Sequence, residues 1–164
     1  MGSGKTTVGR LVAAALAVPL LDSDEVLADR YGATAATIQA RAGADALHEL
    51  ESSILLEQLT SDEPTVIGAA ASTVEDERVL AALRERAFVA VLTGTPELLA
   101  SRARSSPHRP LPADPAETVA LLTEQLERRG PLMAAAADLV LDVVHPPRDL
   151  AGRIVDAWRA LGTP

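Results

Sequence analysis

The chain opens MGSGKTTVGR, and these ten residues constrain everything that follows. Gly4, Lys5 and Thr6 fill the last three places of a phosphate-binding loop, Gly-x-x-x-x-Gly-Lys-Ser/Thr. Glycines in such a loop let backbone N–H groups converge on phosphate oxygens where a Cβ would collide. The helix behind it contributes its dipole, Lys5 a positive charge, and the Thr6 hydroxyl a ligand for magnesium. A bare G-x-G-K-T is also compatible with a plain surface loop. Here it runs straight into TTVGRLVAAALA, whose Val8, Leu11, Val12, Ala15 and Leu16 recur at helical spacing, the context in which the motif binds phosphate. The loop normally follows a buried strand and begins with a glycine two residues before Met1; the sequence holds neither.

Helical and strand-like segments alternate along the rest of the chain, which predicts an α/β fold with a parallel sheet. VPLLD, PTVIG, AFVAVLTG and ADLVLDV read as buried strands. SDEVLADRYG and TAATIQARAG read as short helices closed by Gly32 and Gly43. ADALHELESSILLEQL places Leu47, Leu50, Ile54, Leu55 and Leu59 on one helical face. EDERVLAALRER, TPELLASRA (with Thr95 as its N-cap) and AETVALLTEQLERRGPLM are further helices. RDLAGRIVDAWRAL closes the chain, with Leu150, Ile154, Trp158 and Leu161 turned inward and Trp158 docking the helix. The stretch RSSPHRPLPADP, rich in proline, serine and arginine, reads as a mobile loop. With no internal repeat and no linker, residues 1–164 are expected to form a single domain.

Hydrophobic residues make up 48% of the chain but aromatics only 2%, so the core has to be built from Ala, Leu and Val. A net charge of −8 argues against a nucleic-acid partner, yet a few local arginines suffice to hold an anionic small molecule. Without cysteine there is no disulfide framework and no Cys-ligated zinc. No apolar run reaches the ~18 residues of a membrane span and no secretory leader is evident, so a cytoplasmic protein without a membrane partner is expected. Asp22 and Asp24, in LLDSDEV, fall at the C-terminal end of a predicted strand, where open α/β sheets bind ligands. Being two apart, they both face a site only if the chain leaves the strand between them, which Ser23 as a helix N-cap would bring about. The plainer reading is that one or both merely cap that helix.

In this order MGSGKTTVGR, LLDSDEVLADRYG, RAGADALHELE, IGAAAS, HRPL and ERRGPL resemble the successive motifs of shikimate kinases, over nearly the whole chain. The resemblance implies the three-layer α/β P-loop kinase fold of the nucleoside monophosphate kinases, with a parallel sheet of order 2-3-1-4-5. It also implies transfer of the γ-phosphoryl of ATP, with Mg2+, to the 3-hydroxyl of shikimate. By position, Gly2, Ser3, Gly4, Lys5, Thr6 and Thr7 would hold the ATP phosphates, with Thr6 and Asp22 at the metal. Asp24 would bind the shikimate hydroxyls and orient the attacking one. Arg109, in HRPL, matches a lid arginine, Arg129 one of two arginines that grip the shikimate carboxylate, and Arg102 an arginine near adenine. Residues of about 31–60 would form the acceptor-binding helical region and about 103–115 the lid. A small hydroxy-acid substrate and a monomer are implied, whereas Arg104 and Arg128 are read as solvated surface charges.

Three departures from the family pattern stand out. His48 replaces the second carboxylate-gripping arginine, and a largely neutral imidazole offers one hydrogen bond where a guanidinium offers two. It is a weaker substitute, a contact for a different acceptor, or simply a polar residue on that helix face. Gly68-Ala69-Ala70-Ala71 stands where the family has a triple-glycine turn; if the middle position needs positive φ or close approach, Ala70 would push the substrate out. The third departure is the strand expected ahead of Met1, which is central in a 2-3-1-4-5 sheet. At ~4.8 Å between strands, its omission would leave a gap of about 9.6 Å between its neighbours. Unpaired buried N–H and C=O groups, at ~1–3 kcal/mol each, would then consume much of a domain's stability. The expectation is that the natural product starts upstream and Met1 is internal. Alternatives are a truncated or divergent paralogue that binds nucleotide without turnover, and a kinase of another small acceptor.

Overall fold

The computed structural model describes residues 1–103 and 111–162. Among these residues eight α-helices and four short strands follow one another as α1 (Lys5–Leu16), β1 (Leu20–Asp22), α2 (Ser23–Tyr31), α3 (Ala35–Ala42), α4 (Ala44–Gln58), β2 (Val66–Gly68), α5 (Glu77–Arg86), β3 (Ala90–Thr93), α6 (Pro96–Arg102), α7 (Pro115–Ala136), β4 (Leu139–Asp142) and α8 (Pro147–Ala160). A 3-10 helix, Ala71–Glu75, joins β2 to α5. The boundaries follow local chemistry. Gly32 takes the left-handed conformation that ends α2, and the Thr95 hydroxyl accepts from Leu98 N–H at the start of α6. Pro115 at the first turn of α7 has no N–H to leave unpaired.

Three expectations change. The helix predicted over EDERVLAALRER starts only at Glu77, because Asp76 caps it and Glu75 belongs to the preceding 3-10 helix. The helix expected to end at Met133 runs through Pro131 to Ala136. Leu161, expected inward, is 66% exposed: α8 ends at Ala160, so the next residue leaves the buried stripe of Leu150, Ala151 and Val155.

All strand pairing is parallel. Leu20 to Asp22 of β1 pair with Val66 to Gly68 of β2, and Ala90 to Thr93 of β3 pair with Leu139 to Asp142 of β4. These pairs correspond to neighbours 2-3 and 4-5 of the expected order, and among the described residues no ladder joins β2 to β3. Every residue of β3 is accordingly only half-buried, as are Val66 and Ile67 of β2, where strands paired on both sides and covered by helices would be buried. The core is aliphatic, as the composition demands. Val8 and Val12 of α1 pack with Leu141 of β4 and with Leu150, Ala151 and Val155 of α8, which fixes the phosphate-loop helix against the β4 side. Leu27, Ala35, Ile38, Leu47 and Ile54 form a second cluster that ties α2, α3 and α4 together beside the loop.

Candidate active site

The loop ahead of α1 has the conformation its glycines permit. Gly2 and Gly4 lie at φ 74° and 76°, and a Cβ on Gly2 would sit 2.1 Å from the carbonyl oxygen of Leu99. Gly4 precedes α1 without any side-chain cap, so the first amides of the helix have no intrahelical acceptor and face outward. Around this turn the side chains are already held. Lys5 Nζ donates to the carbonyl of Ala69 at 2.9 Å, and Thr6 Oγ1 donates to Asp22 Oδ2 at 2.7 Å. The other oxygen of Asp22 accepts from Asp24 N–H at 3.1 Å, so Asp22, not Ser23, is the N-cap of α2. Ser23 is the first helical residue and is buried. The chain leaves the strand at Asp22, one residue earlier than expected, and this separates the two acids. Asp22 is 6% exposed beneath the loop, and Asp24 lines the cavity.

That cavity, about 1360 Å³, runs across the loop and brings together most residues singled out in the sequence. Gly2, Ser3, Gly4, Lys5, Thr6 and Thr7 of the loop line it. So do Asp24, His48 on α4, Ala69 and Ala70 after β2, and Arg129 on α7. Arg102 lines it too, its Nη1 donating to the carbonyl of Val143, and Val144 and His145 are further lining residues. Gly68 lies outside the cavity, buried at the end of β2. Arg109 falls outside the described residues, as does most of the lid expected over about 103–115. The alanine turn is not strained. Ala70 sits at φ −67°, ψ 138°, and Ala17 is the one non-glycine residue with positive φ among those described.

Two further residues stand beside Arg129: Glu75, which sequence reasoning did not single out, and Arg128, which it read as a surface charge. Glu75, in the 3-10 helix, meets both arginines of ERRGPL. Its Oε1 lies 2.6 Å from Arg128 Nε and 3.2 Å from Arg129 Nε, and its Oε2 accepts from Arg129 Nη2 at 3.3 Å. Partial burial pushes the Glu75 carboxyl up, but the hydrogen bond from Arg129 and the charges of Arg129, Arg128 and His48 outweigh it and hold the group below the usual carboxylate range. Arg129 is 7% exposed, and its buried Nε is not aligned for a hydrogen bond with any partner. Arg128 is half-exposed and lines the cavity, so it is not merely a surface charge. Its one sequence signal was adjacency to Arg129; Glu75 had none.

Residues 1–159 match the family described as shikimate kinase. A shikimate kinase of Marinomonas sp. (strain MWYL1) is 34% identical over 161 residues, 96% of this chain and 87% of its own length. One from Chromohalobacter salexigens is 33% identical over 167 residues, covering 100% and 91% of the two chains. Among solved structures, shikimate kinase from Acinetobacter baumannii in complex with shikimate superposes with a TM-score of 0.88 at 28% identity, over 100% of this chain and 91% of that one. The shikimate kinase of Bacteroides thetaiotaomicron shares the fold, with a TM-score of 0.83 at 23% identity over 98% and 93% of the chains. The α/β architecture, the glycine-lined loop and the match along nearly the whole chain agree: this protein belongs to the shikimate kinase family, a family of kinases.

Proposed function

We propose that the protein transfers the γ-phosphoryl group of ATP to the 3-hydroxyl of shikimate, giving shikimate 3-phosphate for aromatic amino-acid biosynthesis. One observation carries this reading: a single cavity is lined by the glycine-rich loop, a carboxylate, Asp24, and a buried guanidinium, Arg129. In this reading the amides of Gly2 to Thr7 cradle the phosphates, and Lys5 exchanges the carbonyl of Ala69 for a phosphate oxygen. Magnesium fits the paired oxygens of Thr6 and Asp22, which lie 2.7 Å apart at the loop, since this ion is typically held by one or two protein oxygens plus substrate phosphates. When bound, it neutralises charge on the transferring phosphates.

Asp24 orients the attacking hydroxyl and accepts its proton as the new O–P bond forms and the bridging P–O bond to ADP breaks. Arg129 takes the acceptor carboxylate, with Ala69, Ala70 and His48 lining its berth and Gly68 behind them. Arg102 lies toward the adenine end, and Arg109, in the lid, brings charge to the transferring phosphoryl on closure. A monomer is part of this reading, and the use of ATP favours the cytoplasm. Residues 1–164 act as one domain in this reading.

The test is a coupled assay of ADP release with the purified protein, ATP, magnesium and shikimate. Shikimate-dependent turnover is expected. Turnover only with another hydroxy-acid would move the acceptor, and magnesium–nucleotide binding without any turnover would favour a non-catalytic paralogue.

A further inference from the structure

We propose that Arg128 is the second cation for the acceptor carboxylate, taking over from α7 the part that His48 cannot play from α4. The inference rests on the reading above that the acceptor is a small hydroxy-acid. Consecutive residues on a helix project about 100° apart, so Arg128 and Arg129 would ordinarily diverge. Glu75 reaches in from the 3-10 helix and draws both guanidiniums together, at 2.6 Å from Arg128 and 3.2 Å from Arg129. The pair carries two positive charges against one from Glu75, leaving one for a ligand anion. Glu124, which also lines the cavity, lies 3.6 Å from Arg128 Nη1 but is 68% exposed, so water screens it.

Three features point to a ligand. Arg128 lines the same cavity as Arg129, His48 and Asp24. The buried Nε of Arg129 stands 3.2 Å from Glu75 Oε1 without the alignment of a hydrogen bond. Glu75 takes the Nε edge of Arg128, and among the described residues its Nη1 meets only the weak contact to Glu124. A carboxylate entering between the two guanidiniums would meet both, whereas His48 offers a single ring nitrogen from the opposite helix.

The experiment compares the unchanged protein with Arg128→Ala and Arg128→Lys by calorimetric titration in the presence of Mg·ADP. The ligands are shikimate and the analogue in which its carboxylate is reduced to an alcohol. Loss of one charged hydrogen-bonding partner should weaken shikimate binding of Arg128→Ala roughly 10- to 100-fold. The alcohol analogue and Mg·ADP should bind as before, and Arg128→Lys should recover part of the loss. An equal loss for acid and alcohol, or no loss at all, overturns the proposal while leaving the shikimate reading intact. If the unchanged protein takes up quinate or gluconate but not shikimate, that reading fails, and the same comparison on the accepted acid decides the role of Arg128. No uptake of any hydroxy-acid overturns both.

Discussion

At residue 2 the backbone lies at φ 74° with the Leu99 carbonyl 2.1 Å from where a Cβ would stand, so even alanine has no room. Gly2→Ala should destabilise the protein by about 1–3 kcal/mol, through a disfavoured φ and a backbone clash, and weaken nucleotide binding. Thermal unfolding and Mg·ATP titration check this; an unchanged midpoint with unchanged affinity would refute it. Asp24→Asn tests the other side of the cavity. It keeps the shape but removes the carboxylate, so under the proposed mechanism turnover should fall by roughly 10²-fold or more while nucleotide affinity stays the same. Unaltered turnover would remove Asp24 from the mechanism. At this scale legibility depends on distance along the chain. Gly2 to Thr7 form one contiguous motif and could be read directly, whereas Glu75 meets Arg129 across 54 positions. Nothing local marks such a pair.

Among the elements, α5 shows how a cap and a titration combine. Asp76 accepts from Arg78 N–H at 2.9 Å and caps the helix. Hydrogen bonding from the Arg78 side chain outweighs partial burial and lowers the Asp76 carboxyl from 3.8 to about 2. A carboxyl depressed by folding stabilises above its unfolded value, so this contribution is complete above pH 3.8 and fades as the pH falls toward about 2. Asp76→Ala should therefore cost about 0.5–2 kcal/mol at pH 7, measured by urea unfolding, with the difference from the unchanged protein shrinking below pH 3.8. A difference that grows on acidification would contradict the cap's charge. Element types were legible because apolar spacing and caps are local. The end of α8 was not: a leucine in register with the stripe gave no sign that the helix stops one residue before it.

For the molecule as a whole, the decisive feature is a pair of two-stranded sheets. The carbonyls of Val89 and Thr93 accept from β4, so by strand alternation Val91 faces β4 as well, and Ala90 and Leu92 turn their amides away from it. In hydrogen exchange, Ala90 and Leu92 should therefore exchange faster than Val91 and Thr93; equal protection along β3 would show a second pairing partner. The sequence alone determined the α/β class, the phosphate loop with its helix, and the family to which the chain belongs, because each is written in short-range spacing and in motifs that keep their order. Only the tertiary structure decided that Asp22 sits under the loop while Asp24 faces the cavity, that the alanine turn carries no strain, and that Glu75 holds two neighbouring arginines together. These depend on where separate elements meet, and that is set by the packing of aliphatic faces, which say how strongly helices and strands associate but not which polar side chains end up between them.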